Sequence, residues 1–187
     1  MKMFITSDEK MLNEVQEKLG EFHKRAPNAI SNALNRGVSN MNTNSRKEIR
    51  KEYNIKAGDV SPTLKVFKSS RMSLGASVQS KGGVIPLDRF KISPRTINPL
   101  RKSPIKAAVK KGSPRSLGSG FMAEINGPKL FKRSGKSRLP INRLFGPSIP
   151  QMLENEATRE EIQRQGQEVY EKRLDHEIKR ILDKGRS

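Results

Sequence analysis

The chain has 187 residues, of which 33% are apolar, with no cysteine, no tryptophan and a net charge of +19. Apolar content below the usual ~45–50% of globular chains predicts a small core, completed by long helices or by contacts between subunits. The composition excludes disulfides and thiolate metal sites, and no apolar run approaches the ~20 residues of a membrane span or forms a signal peptide, so we expect no membrane and synthesis in the cytoplasm.

Two helices are predicted before residue 53. Apolar residues recur at helical spacing between residues 8 and 22, where Ser7 or Asp8 can cap the start and Gly20 can end the helix early. A second helix is predicted over 27–52, because Pro27 suits a first helical position and apolar residues follow at intervals of three or four. Six of its other positions are poor helix formers, so packing must hold this helix: Asn28, Asn32, Asn35, Asn40, Asn42 and Asn44.

Strands and loops are predicted between residues 53 and 150, where Pro and Gly recur every few residues and the apolar runs shorten. The candidate strands are 74–80, 84–92, 105–110 and 120–126, with a fifth at 129–133. Gly82 and Gly83 between the first two indicate a hairpin turn, and we expect a small antiparallel sheet with one solvated basic face. The polar stretches 93–104 and 111–119 are predicted to be mobile loops.

The last third of the chain contains a rigid turn and a helix. Three prolines and a glycine fix the backbone of 138–153, and Gly146, between Phe and Pro, suits a positive φ. The helix predicted over 155–183 has acids at its start and bases at its end, which matches the helix dipole. The sequence therefore predicts one α+β domain with segments 1–52 (two helices), 53–153 (a basic β-rich module) and 154–187 (a helix).

The positive charge is concentrated in the middle of the chain. Residues 46–145 hold 24 Lys and Arg against 5 Asp and Glu, whereas residues 1–45 hold 6 against 5 and residues 146–187 hold 8 against 9. A localised basic module indicates contact with phosphate or with an acidic protein surface, although a solvated surface that balances acidic neighbours is the alternative. The candidate contact residues are Arg95, Arg101, Lys102, Lys106, Lys110, Lys111, Arg115, Lys132, Arg133 and Lys136.

Contact with DNA through this module would be independent of sequence. Phosphate contact needs Lys and Arg density but no fixed spacing, and the chain contains no signature of a helix-turn-helix, zinc finger or RNA-recognition motif. Catalytic and metal-binding patterns are missing as well, because His23 and His176 lie far apart and the five acids of the module are scattered. We therefore predict no enzyme activity, no metal and no cofactor.

The stretch Arg138-Leu-Pro-Ile-Asn-Arg-Leu-Phe-Gly-Pro-Ser-Ile-Pro-Gln-Met-Leu153 resembles the C-terminal signature of the prophage minor tail protein Z family, the tail completion proteins of long-tailed phages. Residues 29–36, 53–60, 85–90 and 120–123 resemble further segments of that family in the same order. The resemblance covers roughly residues 10–155, and the closing helix is similar in character only.

This resemblance implies a structural protein of the virion, in the tail or neck, assembled in the host cytoplasm. It would help a finished tail join a DNA-filled head, as a ring of identical subunits in contact with tail terminator, head-completion or connector proteins. We expect the 138–153 turn to serve assembly through Arg138, Pro140, Gly146, Pro147 and Pro150. The alternative is a sequence-independent nucleic-acid-binding protein of histone-like or ribosomal type, which shares the charge but does not explain the Pro-rich signature.

Overall fold

The structure is a computed structural model, and it describes residues 1–185 of the chain. The helices in this range are α1 (Glu9–Leu19), α2 (Ala26–Glu52), α3 (Ala57–Val60), α4 (Ile149–Met152) and α5 (Glu156–Gly185). The strands are β1 (Lys2–Thr6), β2 (Leu64–Phe67), β3 (Gly75–Ser80), β4 (Ile85–Pro86), β5 (Lys91–Ser93), β6 (Lys106–Ala108), β7 (Arg115–Ser116), β8 (Phe121–Glu124), β9 (Pro128–Arg133), β10 (Ile141–Arg143) and β11 (Phe145–Gly146). The predicted α+β class is confirmed.

The chain divides into two compact units, and each combines stretches that are separate in sequence. The first unit contains residues 1–45, 64–81 and those from 153 onward, and the second contains residues 46–63 and 82–152. Helix α2 therefore begins in the first unit and ends in the second. Most cations of the basic stretch 46–145 belong to the second unit.

A three-stranded antiparallel sheet with the order β1-β3-β2 forms one layer of the first unit. Its side chains alternate between the two faces, as the two-residue period of a strand requires. Met3 and Ile5 of β1 are buried, whereas Phe4 between them is exposed. The predicted strand at 74–80 is confirmed as β3, but β1 and β2 were not predicted.

The predicted hairpin at Gly82 and Gly83 is wrong. Strand β3 pairs with β1 and β2, and β4 pairs instead with β11 near the end of the second unit. The predicted strand 84–92 is also interrupted, by a 3-10 turn at Leu87–Arg89. Pro86 has no amide hydrogen to continue the ladder, and Leu87 is buried in this turn. Alternation shows which residues share a face, but it does not identify the strand that pairs with them.

The helices of the first unit follow the sequence prediction closely. Helix α1 begins after Asp8, whose carboxylate accepts a hydrogen bond from the amide of Met11, and it ends at Gly20, which has a φ of 53°. The predicted apolar face of α2 is buried, and Leu34 and Val38 are both fully inaccessible. Amphipathic spacing and caps are local signals, so they locate α2 within one residue of its observed bounds and indicate the early end of α1 at Gly20.

Helices α2 and α5 approach each other closely at Gly37 and Gly166, both buried in the first unit. A Cβ atom placed on Gly37 would lie 2.9 Å from the carbonyl oxygen of Gly166, and one on Gly166 would lie 2.3 Å from Cγ of Met41. The absence of side chains at these two positions lets the helix backbones come into contact. Tyr170 and Leu174 continue the buried face of α5 beyond this point.

Three small antiparallel sheets make up the second unit: β10-β9-β8, β11-β4 and β5-β6-β7. Phe90, Ile105 and Leu130 are among its most deeply buried large side chains, together with Ile49, Ile149 and Met152. The predicted strands 105–110, 120–126 and 129–133 are present in shortened or shifted form as β6, β8 and β9. The stretch predicted as a loop at 111–119 contains strand β7, in which Arg115 lies opposite Ala107 of β6.

The segment 138–153, predicted as a rigid turn, contains β10, β11 and α4. The guanidinium of Arg143 binds both carboxylate oxygens of Asp88, at 3.1 and 3.0 Å, and this ion pair holds β10 to the turn after β4. The φ of Gly146 lies outside the left-handed region, so the expectation of a positive φ is wrong. A Cβ on Gly146 would lie 2.8 Å from Cε2 of Phe90, so glycine is required here by close packing.

Candidate anion-binding surface

Six cations from four stretches of the second unit surround one concave surface. Arg50 and Lys56 flank the end of α2, Arg89 and Lys91 lie on either side of Phe90, and Arg95 and Lys111 complete the wall. The cavity has a volume of about 410 Å³, and no Asp or Glu is among its lining residues. We call these six residues and the surface between them the basic concavity.

Two of the six cations are engaged within the fold. Arg89 forms an ion pair with Asp59 at 2.8 Å, and Arg95 donates hydrogen bonds to the carbonyl oxygens of Asp88 and Phe90. Both side chains are therefore held in contacts within the wall, and their charges are less available to a bound anion. Within residues 1–185, the other four cations form no ion pair: Arg50, Lys56, Lys91 and Lys111.

The positive charge of Lys110, the neighbour of Lys111, is balanced by a carboxylate of the same unit. Its Nζ lies 2.5 Å from Oε1 of Glu52 and 5.4 Å from the centre of the Tyr53 ring. Burial, followed by the Glu52 carboxylate, raises the pKa of Tyr53 despite the opposing effect of Lys110, so the phenol stays neutral at physiological pH. Of these three residues Tyr53 alone lines the basic concavity, so the pair of Lys110 and Glu52 adds no free charge to it.

A second groove brings three other predicted residues together. Arg101, Lys102 and Arg133 lie along a cavity of about 740 Å³ that follows β8 and also contains Glu124. Arg133 lies over the ring of Phe121 at 5.8 Å, and Arg101 donates to the carbonyl and hydroxyl oxygens of Thr96 in its own loop. Contacts of this kind orient the cations but reduce the charge available to a partner.

The remaining predicted cations are dispersed over the surface. Lys106 and Arg115 are exposed on β6 and β7, Lys132 is exposed on β9, and Lys136 lies in the connection between β9 and β10. Of the ten candidate residues, only Arg95 and Lys111 therefore line the basic concavity.

Four residues of the basic concavity were not predicted as contacts: Arg50, Lys56, Arg89 and Lys91. They come from the end of α2, the segment after it and the β4–β5 region, which are brought together only by tertiary packing. The sequence contained one local indication of this site: a cation stands on each side of Phe90, whose side chain is buried. Residues on either side of an inward-facing side chain point outward together, so these two cations share the surface.

Within the part of the chain that the structure describes, no group of three or more His, Cys, Asp or Glu is placed to hold a metal ion. His23 contacts the carbonyl of Gly20 through Nδ1 at 3.1 Å, and His176 is exposed on α5. Among residues 1–185, no helix is long and apolar enough to cross a lipid bilayer.

A comparison with protein-family models matches residues 10–184 to the family described as prophage minor tail protein Z. Searches of curated proteins and of solved structures gave no significant match. The matched region includes the whole of the second unit with its basic concavity, and nearly all of the described first unit. The chain therefore belongs to the prophage minor tail protein Z family.

Proposed function

We propose that the protein completes the tail, acting at its head-proximal end where a finished tail joins a DNA-filled head. The family match over nearly the whole chain carries this proposal, because the family is one of structural proteins of the phage tail. On this proposal the protein has no enzyme activity and acts as a homo-oligomeric ring in the virion, after assembly in the host cytoplasm. Its partners are a tail terminator and head-completion or connector proteins.

The basic concavity supports contact with an anionic partner at that junction. Four cations without an acid partner share one concave surface, and their mutual repulsion is relieved when an anion binds between them. Phosphates of the DNA that passes from head to tail meet this requirement, and so do carboxylates of a neighbouring protein ring. The same surface favours the second candidate function, sequence-independent binding of nucleic acid, because phosphate contact depends on charge and not on base edges.

Complementation of a null phage tests the proposed function. The double variant Lys91→Glu and Lys111→Glu reverses two cations of the basic concavity, whereas Lys106→Glu and Lys132→Glu makes the same change in charge at exposed sites outside it. We expect the first variant to give filled heads and full-length tails that stay separate in electron micrographs, and the second to give joined particles.

Normal infectious particles from the null phage would overturn the tail-completion proposal itself. If the null phage fails and both double variants restore joining equally, the proposal stands for the protein, and the role of the basic concavity is wrong.

A further inference from the structure

A polar groove runs along the seam between α2 and α5 in the first unit, and its lining residues lie outside the basic stretch 46–145. Two adjoining cavities of about 380 and 510 Å³ share Asn32, Glu177 and Arg180 in their walls. On the α2 side the wall is a stripe of Asn28, Asn32 and Asn35, spaced at four and three residues so that all three lie on one helix face. We call this surface the asparagine groove.

The α5 wall of the groove is organised by one buried carboxylate. The Glu177 side chain is 1% exposed, and its two oxygens contact the guanidinium groups of Arg173 and Arg180. These two arginines are thereby fixed along the wall, and their charges are only half compensated by the single carboxylate. Arg36 on the opposite wall is exposed and forms no ion pair within the described chain.

One member of the stripe already binds a main chain. The Asn35 amide nitrogen donates to the carbonyl of Ser69 at 3.1 Å, and the Asn35 amide oxygen accepts from the Ser69 N–H at 2.8 Å. A side-chain amide can pair with a peptide group in this way because it has both a donor and an acceptor. Asn28 and Asn32 are exposed and make no such pair within residues 1–185.

The spacing of the free amides fits an extended peptide. Residues four apart on a helix are about 6 Å apart along its axis, and alternate residues of an extended chain are about 6.6–6.8 Å apart. Asn28 and Asn32 can therefore hold two peptide groups on the same edge of the strand. Side chains on one face of that strand would enter the groove, which Arg173 and Arg180 line, and this favours carboxylates at those positions.

We propose that the asparagine groove binds an acidic segment of a partner protein in extended conformation, with the side-chain amides of Asn28 and Asn32 paired to its backbone and the groove arginines paired to its carboxylates. This interaction is separate from the contact proposed for the basic concavity, and it does not depend on the tail-completion proposal.

The test uses a fluorescein-labelled peptide of six Asp-Thr repeats, titrated with the full chain and followed by fluorescence anisotropy. The chain carries Lys91→Glu and Lys111→Glu throughout, so that binding at the basic concavity does not contribute. In this background we compare Asn28→Ala with Asn32→Ala as a double variant, and Asn13→Ala, an exposed asparagine of α1, as the matched control. Alanine is the better helix former, so the substitutions preserve the helices, which circular dichroism verifies.

We expect the Asn28 and Asn32 double variant to weaken peptide binding at least about tenfold and Asn13→Ala to leave it unchanged, since two amides contribute up to four hydrogen bonds. A peptide N-methylated at alternate amides should lose affinity to a similar degree, a result that charge attraction alone would not produce. The proposal is overturned if the unmodified peptide fails to bind, or if it binds the double variant as well as the control. It is also overturned if the double variant weakens binding of a 12-base-pair DNA duplex more than binding of the peptide.

Discussion

Replacing Gly166 by alanine tests how closely the first unit is packed. The added Cβ would lie 2.3 Å from Cγ and 2.9 Å from Sδ of Met41, far inside the ~3.5–4.0 Å of a favourable carbon contact. Met41 is fully buried, and its Cγ is near the backbone, so the side chain cannot swing into solvent. Either Met41 leaves its rotamer or the two helices separate.

The expected magnitude combines two opposing effects. Overpacking of a buried site costs about 1–3 kcal/mol, and the severe overlap places this change at the upper end. Alanine offsets about 1 kcal/mol of this because it is the better helix former. We expect the free energy of unfolding to fall by about 2 kcal/mol in Gly166→Ala. With Met41→Ala as background the clash is removed, so Gly166→Ala should stabilise by up to about 1 kcal/mol, a coupling of about 3 kcal/mol between the sites.

Urea unfolding followed by far-ultraviolet circular dichroism measures all four proteins of this cycle, because the chain lacks tryptophan. Hydrogen exchange of α2 and α5 amides then assigns the change to the first unit. Gly58→Ala is the matched control, since no atom lies within 4 Å of a Cβ at that helical glycine. If Gly166→Ala is as stable as the natural chain, or if Met41→Ala does not reverse the sign of its effect, the close helix contact is refuted.

Three further predictions follow from the electrostatics and packing. If each of the four unpaired cations in the basic concavity neutralises one phosphate, duplex affinity should fall about 150-fold between about 50 and 200 mM salt, and a binding constant flat in salt would contradict this. Burial tends to raise the pKa of Glu177, but the ion pairs with Arg180 and Arg173 outweigh this effect and lower the pKa. The ionised carboxylate therefore stabilises the fold at pH values above its ordinary pKa of 4.5, and this stabilisation is lost as the pH falls through the lower pKa of the folded state. Glu177→Gln should therefore cost about 1–3 kcal/mol in urea unfolding at pH 7 and much less at pH 3, and an equal loss at both pH values would exclude the ionic contribution. Gly146→Val should lower the free energy of unfolding by about 1–3 kcal/mol, because the new side chain displaces the Phe90 ring. In phage complementation this variant should give heads and tails that do not join. A fully active variant would show that the site tolerates the added side chain.

The sequence predicted the helices well and the sheets poorly, for a physical reason. Caps and amphipathic spacing lie within each helix, so α2 and α5 were predicted to within about two residues, and α1 ends at the early stop predicted at Gly20. Pairing partners of strands are set by tertiary contacts, so the β3–β4 hairpin was wrong and β1 was missed.

Prediction of the candidate site was limited in the same way. The charge of residues 46–145 indicated an anionic partner, but the structure is needed to show that Arg50, Lys56, Lys91 and Lys111 meet on one surface. Conversely, the six asparagines of α2 are unfavourable when judged by helix propensity alone. The hydrogen bonds between Asn35 and the backbone of Ser69 show that at least one of them stabilises a tertiary contact, which local sequence rules do not predict.

The interleaving of the two units has a consequence for synthesis on the ribosome. Strand β1 is translated well before α5, yet these two elements pack against each other. The nascent chain therefore carries the apolar faces of β1 and α2 without their partner until α5 has been translated, and exposed apolar surface of this kind is prone to aggregation. Contacts of such high sequence separation also fold slowly. A chain that lacks α5 therefore leaves the apolar faces of its first unit uncovered.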